Sequence, residues 1–230
     1  MTVILTNDDG IDAPGIRAMQ QAIARIHPIP SVLVAPKDHQ SGCSHQTSTH
    51  RPITVEQRNE TEFAVDGTPV DCTRLGVRYL QPDATLVLSG INAGGNLGSD
   101  IYISGTVAAV REATLLRVPG IAVSHYIKRG RPIDWDRATD LTVQVLEQLL
   151  SQPIPEGTFW NVNLPHVESD DPDPQMIYCS ACTQPLPTDF HIEQNQYRYT
   201  GDYAQRRRDP GADVDVCFSG NIAITQLRLW

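Results

Sequence analysis

Asp8 and Asp9 are neighbouring carboxylates in a run, Asn7-Asp8-Asp9-Gly10, that follows the short β-branched segment Val3-Ile4-Leu5 after one residue, Thr6. Buried side by side they would repel one another and rise in pKa, and a divalent cation is the simplest group that neutralises them. Taken alone, Asp-Asp-Gly is an ordinary solvated turn. Two further segments change that reading. Ser41-Gly42 comes soon after a second buried-type strand, Ser31-Val-Leu-Val-Ala35, and Asn92 soon after a third, Thr85-Leu-Val-Leu88. Two carboxylates, a hydroxyl and an amide oxygen form an all-oxygen donor set, which suits a hard ion such as Mg²⁺ or Mn²⁺ with several waters retained rather than a closed zinc site. One divalent ion held by Asp8, Asp9, Ser41 and Asn92 is therefore expected.

The segment around Asn92 carries glycines at 90, 94, 95 and 98, which let a backbone approach an anion closely. Ser104-Gly105-Thr106 then opens a helix, and the free N–H groups and positive dipole end at such a start favour a phosphate. Gly42, Asn96, Ser104, Gly105 and Thr106 are the candidate phosphate-binding residues, Asn96 also as a donor to charge that develops during reaction. Neither G-x-G-x-x-G nor Walker A nor G-x-S-x-G occurs, which argues against an NAD-linked oxidoreductase on the same kind of core.

The elements that must position these residues can be read from periodicity. After Val3-Ile-Leu5 and its loop, apolar residues at 16, 19, 23 and 26 follow helical spacing, and Ser31-Val-Leu-Val-Ala35 is a continuous apolar run suited to a parallel strand covered on both faces. Residues 53–55 and 63–65 read as a small antiparallel pair off the main sheet. Thr68 and Pro69 read as an N-cap and first helical position, with the helix running to Leu80 before Pro82. Thr85-Leu-Val-Leu88 is the third strand. Residues 90–104 read as a long loop before a helix over 106–116, Ile121-Ala-Val123 as a fourth strand, a helix starts near Asp134, and Trp160-Asn-Val-Asn-Leu164 is a fifth strand. Strands alternating with helices predict a Rossmann-like three-layer α/β/α fold with a mostly parallel sheet. In such a sheet the ligand crevice lies beyond the carboxyl ends of the strands, where the three loops above would meet. Residues 1–165 form the expected core. Residues 166–230, rich in proline and aspartate, read as an extended arm or hairpin used in oligomerisation, with a last strand over 222–227 that returns to the core or is shared with a partner.

A net charge of −9 and a pI near 5.1 exclude a duplex nucleic-acid binder, whose affinity comes from Lys/Arg surfaces. A small anion remains open, because a cation and backbone N–H groups can reverse the potential within one cleft. No apolar run approaches the ~20 residues of a membrane span and no basic leader precedes Val3, so a cytoplasmic protein is expected. Cysteines at 43, 72, 179, 182 and 217 are an odd, scattered set and read as reduced thiols. Histidines 27, 39, 50, 125, 166 and 191 have no metal spacing and read as surface or hydrogen-bonded residues, with His45 a candidate at the rim of the site. Arg206-Arg-Arg208 reads as a solvated or interface patch within reach of a neighbouring subunit's substrate. The three tryptophans read as core or interface anchors.

The chain resembles the SurE stationary-phase survival proteins. The resemblance is carried by Ile4-Leu-Thr-Asn-Asp-Asp-Gly-Ile-Asp-Ala-Pro-Gly-Ile16, by Val34-Ala-Pro with Ser41-Gly42, by Gly67-Thr-Pro-Val-Asp-Cys72, by Leu88-Ser-Gly-Ile-Asn-Ala-Gly94-Gly-Asn96 and by Tyr102-Ile-Ser-Gly-Thr-Val-Ala-Ala109. It implies a 5'-nucleotidase with broader phosphatase activity. It also implies that Asp8, Asp9, Ser41 and Asn92 are metal ligands, that Asn96 and residues 104–106 hold phosphate, and that the C-terminal hairpin is exchanged in a homodimer or homotetramer. Cys43 and His45 stand where the family often carries smaller or amide residues. The expected reaction is attack of a metal-activated water on the phosphorus of a nucleoside monophosphate, with Asp8 orienting or deprotonating that water. The alternative is a metal-dependent nucleotide-binding regulatory module without turnover.

Overall fold

Val3-Ile-Leu5 is buried on both faces, as a strand inside a parallel sheet must be, and forms β1 (Thr2–Thr6). The computed structural model describes residues 2–26, 30–168 and 171–230, so His27 lies outside the described residues. Pro14 begins α1 (Pro14–Ile26), where its missing N–H would have had no partner anyway, and Ile16, Met19 and Ile23 bury one face. β2 (Ser31–Pro36), β3 (Val55–Asn59) and β4 (Glu62–Val65) follow. Thr68 opens α2 (Pro69–Leu75) with a capping box: its hydroxyl accepts from Asp71 N while the Asp71 carboxylate accepts from Thr68 N. β5 (Ala84–Ala93), α3 (Gly105–Leu115), β6 (Gly120–His125), α4 (Trp135–Leu150) and β7 (Thr158–Leu164) complete the alternating part. Beyond them come β8 (Met176–Tyr178), β9 (Phe190–Glu193), β10 (Gln196–Tyr199), α5 (Asp213–Phe218) and β11 (Ile222–Arg228).

Nine strands form one sheet in the order β3-β4-β2-β1-β5-β6-β7-β11-β8, parallel except at the β3–β4 and β11–β7 pairs. α1 packs with α4 over the Val3, Leu5, Leu86 and Leu88 side of the sheet, and α2 with α3 over the Ile4, Val34 and Val87 side. This is the expected three-layer α/β fold. β1 is flanked by β2 and β5, so the loops after these three strands emerge at one edge.

Four local readings need correction. The antiparallel β3–β4 pair is not off the main sheet: β4 pairs in parallel with β2 from Leu33↔Glu62 to Pro36↔Val65, which covers the edge β2 would otherwise expose. The helix expected to reach Leu80 gives way after Leu75 to a π-helical turn, Gly76–Leu80. There Gly76 sits against Ile4, and a Cβ would lie 3.1 Å from Ile4 Cδ1. Residues 90–93, expected as loop, continue β5, whose Gly90 adopts a φ of +131° beside a cis Gly90–Ile91 peptide. α5 was not anticipated: six residues are too few to show a helical period. The last strand pairs with β7 of its own chain, and among the described residues of 166–230 only the β9–β10 hairpin stands in a sheet of its own.

The fit of α1 against the end of β5 depends on Gly15, whose Cβ would fall 1.9 Å from the carbonyl oxygen of Ile91 and 3.1 Å from the Trp135 ring. Backbone cannot yield as a flexible side chain can. Gly15→Ala is expected to lower unfolding stability by ~3 kcal/mol, read as a drop in urea midpoint with unchanged slope.

Candidate metal and phosphate site

Asp8 and Asp9 begin the loop after β1, and four interactions tie the other predicted segments to them. Thr106 Oγ1 donates to Asp8 Oδ1 at 2.5 Å, Gln40 N donates to the Asp8 carbonyl at 2.7 Å and Ala93 N donates to Asp9 Oδ2 at 2.9 Å. The fourth is steric: a Cβ on Gly105 would lie 2.9 Å from Asp8 Cβ. Asp8 and Asn92 are buried, Asp9 is half-buried, and Ser41 and Gly42 are exposed in the loop that Gln40 pins to Asp8. Asn92 Nδ2 donates to the Gly94 carbonyl at 2.7 Å, which directs its amide nitrogen inward to the chain and leaves the oxygen as the group it can offer.

The electrostatics fit a cation. Burial pushes the Asp8 carboxyl above its ordinary range, the Thr106 hydrogen bond opposes this, and the Asp9 charge adds to the rise. In the same loop Asn7 Nδ2 donates to the Gly10 carbonyl at 2.8 Å, while Asn7 Oδ1 is buried without a hydrogen-bond partner. Among the described residues no three His, Cys, Asp or Glu side chains converge on a metal position. The oxygens that Ser41 and Asn92 could add to the Asp pair are a hydroxyl and an amide carbonyl, a donor set that would suit a hard divalent cation.

At the start of α3, Ser104 Oγ caps the helix by accepting from Val107 N at 3.1 Å. The Thr106 hydroxyl is committed to Asp8 and its backbone N–H faces the same carboxylate, so what the first turn of α3 can present to an anion is chiefly the backbone N–H of Gly105. Asn96 is held on several sides. Its Nδ2 donates to Ser124 Oγ, its N donates to Asn163 Oδ1, and its carbonyl accepts from Asn161 and Asn163 Nδ2, at 2.7, 2.7, 2.9 and 3.1 Å respectively. One Asn96 N–H is thus taken by Ser124. The supporting asparagines were not singled out from the sequence, yet a signal was present: Asn161 and Asn163 put polar groups on one face of an otherwise apolar strand.

Other residues also stand near the site, among them His39, which reads from the sequence as a surface or hydrogen-bonded histidine. His39 Nδ1 lies 3.4 Å from Asp9 Oδ1. Cys43 packs where a Gly105 Cβ would meet its sulfur at 2.9 Å, and burial followed by the Asp8 charge pushes its thiol up to about 11, which keeps it protonated and a poor nucleophile. His45, expected at the rim, is turned inward: its Nε2 lies 2.8 Å from Glu112 Oε2, while Arg74 Nε donates to Glu112 Oε1 at 2.6 Å. With Ser44 N and Oγ donating to the carbonyls of Ile103 and Tyr102 at 3.1 and 2.8 Å, this ties the Ser41 loop to α3. The reading of Arg206-Arg-Arg208 as a surface patch fails for its first member: the Arg206 side chain has no exposed area, whereas Arg207 and Arg208 are exposed.

His125, which reads from the sequence as a surface or hydrogen-bonded histidine, ends β6 opposite Ala93 and is buried, so the surface alternative does not hold. Burial, with His166 adding, lowers its pKa from 6.5 to about 4. The folded state thus keeps it neutral while the unfolded chain takes up a proton near the ordinary value. Its contribution to stability is complete above pH 6.5 and lost as pH falls to about 4, a loss of up to roughly 3 kcal/mol. His125→Leu is expected to flatten the dependence of urea midpoint on pH across that window.

A mostly parallel α/β sheet with an acidic pair and a helix start meeting at its carboxyl edge defines a ligand-binding α/β protein of the Rossmann-like class. The chain belongs to the Survival protein SurE family, whose pattern it matches over residues 3–185. It is 53% identical over 229 residues to a protein of Nostoc sp. provisionally named a 5'-nucleotidase, with all of both chains covered. It is 35% identical to the 5'-nucleotidase SurE of Geobacter sulfurreducens, covering all of this chain and 88% of that one. The crystal structure of the SurE protein from Aquifex aeolicus superposes with a TM-score of 0.86 at 30% identity, covering 99% of this chain and 93% of that one. Among the described residues, no helix is long and apolar enough to cross a membrane.

Proposed function

We propose that this chain is a cytoplasmic, divalent-metal-dependent 5'-nucleotidase that hydrolyses nucleoside 5'-monophosphates and other small phosphate esters. The single observation that carries the reading is the hydrogen bond from Thr106 Oγ1 to Asp8 Oδ1, because it puts a buried carboxylate of the acidic pair against the first turn of α3. The names of the relatives from Geobacter sulfurreducens and Nostoc sp. support the same reaction.

Asp8, Asp9, Ser41 and Asn92 would hold one Mg²⁺ or Mn²⁺ ion, which when bound supplies Lewis acidity to the phosphoryl group and the attacking water. The backbone N–H of Gly105, with that of Thr106 shared with Asp8, holds the phosphoryl oxygens, and the remaining Asn96 N–H donates to the charge that develops on them. Asp8 orients the attacking water and accepts its proton. Gly42 gives the Ser41 loop room to approach the ester, with a φ of +75° and nothing within 4 Å of a Cβ position.

The assembly is a homodimer or homotetramer in this reading. Every residue of β9 and β10 is exposed, including Phe190, Ile192, Tyr197 and Tyr199, and an isolated two-stranded hairpin is marginal in water. A second subunit would cover it.

Phosphate release from the nucleoside 5'-monophosphates and from p-nitrophenyl phosphate, each with and without Mn²⁺ or Mg²⁺, tests the function. Release that requires the ion is expected. Nucleotide binding with no release under any ion would replace the enzyme by a regulatory module.

A further inference from the structure

We infer that Arg206, far along the chain from the site, is a positioning residue that sets the phosphate-holding start of α3 by clamping Asp100. Its guanidinium is fully buried. Arg206 Nη1 donates to Asp100 Oδ2 at 2.8 Å, and the Tyr203 hydroxyl donates to the same oxygen at 2.6 Å. The guanidinium also lies over the Tyr203 ring, 4.9 Å from its centroid. Nη2 reaches toward the Leu97 carbonyl at 3.4 Å and Ser99 Oγ at 3.5 Å, while Nε is buried without a partner.

A buried cation with an unsatisfied donor is costly, so its place calls for more than packing. What it holds supplies the reason. The Asp100 carbonyl accepts from both Ile103 N and Ser104 N at 3.1 Å, so Asp100 shapes the turn that delivers Ser104, Gly105 and Thr106. Asp213 anchors the other end of this turn by accepting from Gly98 N at 2.7 Å and Cys182 N at 2.8 Å. The turn over residues 97–104 is thus gripped by side chains from the C-terminal segment, whereas the proposed metal ligands stand on the loops after β1 and β2 and on the end of β5. Releasing the grip should loosen phosphate far more than the ion, whose ligands meet the turn and the helix start only through Ser44 and Thr106.

This inference rests on the proposed role of the α3 start in holding phosphate. The test compares wild type with Arg206→Met, Arg206→Lys and Tyr203→Phe in the full chain with Mn²⁺. Steady-state hydrolysis of a nucleoside monophosphate is measured beside calorimetric binding of orthophosphate. For Arg206→Met, KM and the orthophosphate Kd are expected to rise about tenfold with a much smaller fall in kcat. The Mn²⁺ concentration for half-activation should change much less than KM, and Arg206→Lys should restore part of the binding. Orthophosphate Kd and KM within about twofold of wild type, whatever the loss in Tm, would overturn the assignment. So would a half-activation concentration that shifts as much as KM. If Arg206→Met does not fold, Arg206→Lys and Tyr203→Phe decide by the same two constants. A wild type that binds orthophosphate but releases none from any ester removes the proposed function, and the Kd comparison alone then decides the role of Arg206.

Discussion

Asp9→Asn is expected to abolish ion-dependent phosphate release, by roughly 10³-fold or more, while leaving the fold as stable as before or more so. The loss follows from charge. A bound cation contributes several kcal/mol to a phosphoryl-transfer transition state, and each 1.36 kcal/mol is tenfold in rate. An amide in place of one of two carboxylates removes half of the formal negative charge that Asp8 and Asp9 offer the ion. The stability follows from the same charge in the opposite sense. Asp8 is buried and feels the Asp9 charge as an unfavourable neighbour, so neutralising Asp9 relieves a repulsion in the metal-free protein. Asn at position 9 can still accept from Ala93 N, the bond that now holds Asp9 Oδ2 at 2.9 Å. Thermal unfolding should show an equal or higher Tm without metal and no rise on adding Mn²⁺, whereas wild type rises with the ion. Wild-type turnover in the variant, or a Tm increase with Mn²⁺ equal to that of wild type, contradicts Asp9 as a ligand.

The core of this fold was legible because its strands are buried on both faces. Val3-Ile-Leu5, Val32-Leu-Val34 and Leu86-Val-Leu88 each read as continuous apolar runs, and the parallel order then brings their carboxyl ends to one edge. Asp8, Asp9 and Asn92 were visible as polar residues placed where those runs stop. The support beneath them was harder to see, since hydrogen bonds over long sequence separation leave no local pattern. Thr106 meets Asp8 across 98 residues and Arg206 meets Asp100 across 106. Three consecutive arginines resemble a solvated surface, and nothing in their spacing distinguishes the buried first from the exposed second and third. β4 was misplaced for a related reason: its four residues look the same whether the hairpin stands free or pairs with β2, and only the free edge of β2 decides.

Gly105→Ala is expected to cost about 10²-fold in kcat/KM, the second largest effect among these substitutions. Alanine favours a helix start, and Gly105 has no left-handed φ to protect, so propensity alone predicts a neutral or stabilising change. Space decides otherwise. The added methyl would stand 2.9 Å from Asp8 Cβ, 2.9 Å from Cys43 Sγ and 3.0 Å from Asp8 Oδ2. The Cys43 sulfur can swing away, but Asp8 Cβ is fixed by the backbone whose carbonyl accepts from Gln40 N. Asp8 and the first turn of α3 must therefore separate, stretching the Thr106 hydrogen bond and parting the carboxylate from the N–H groups that would hold phosphate. The double variant Gly105→Ala, Cys43→Ala relieves the sulfur contact and leaves the other two. It should recover only a small part of the lost activity, and full recovery would show that Cys43, rather than the Asp8 backbone, sets the need for glycine at this position.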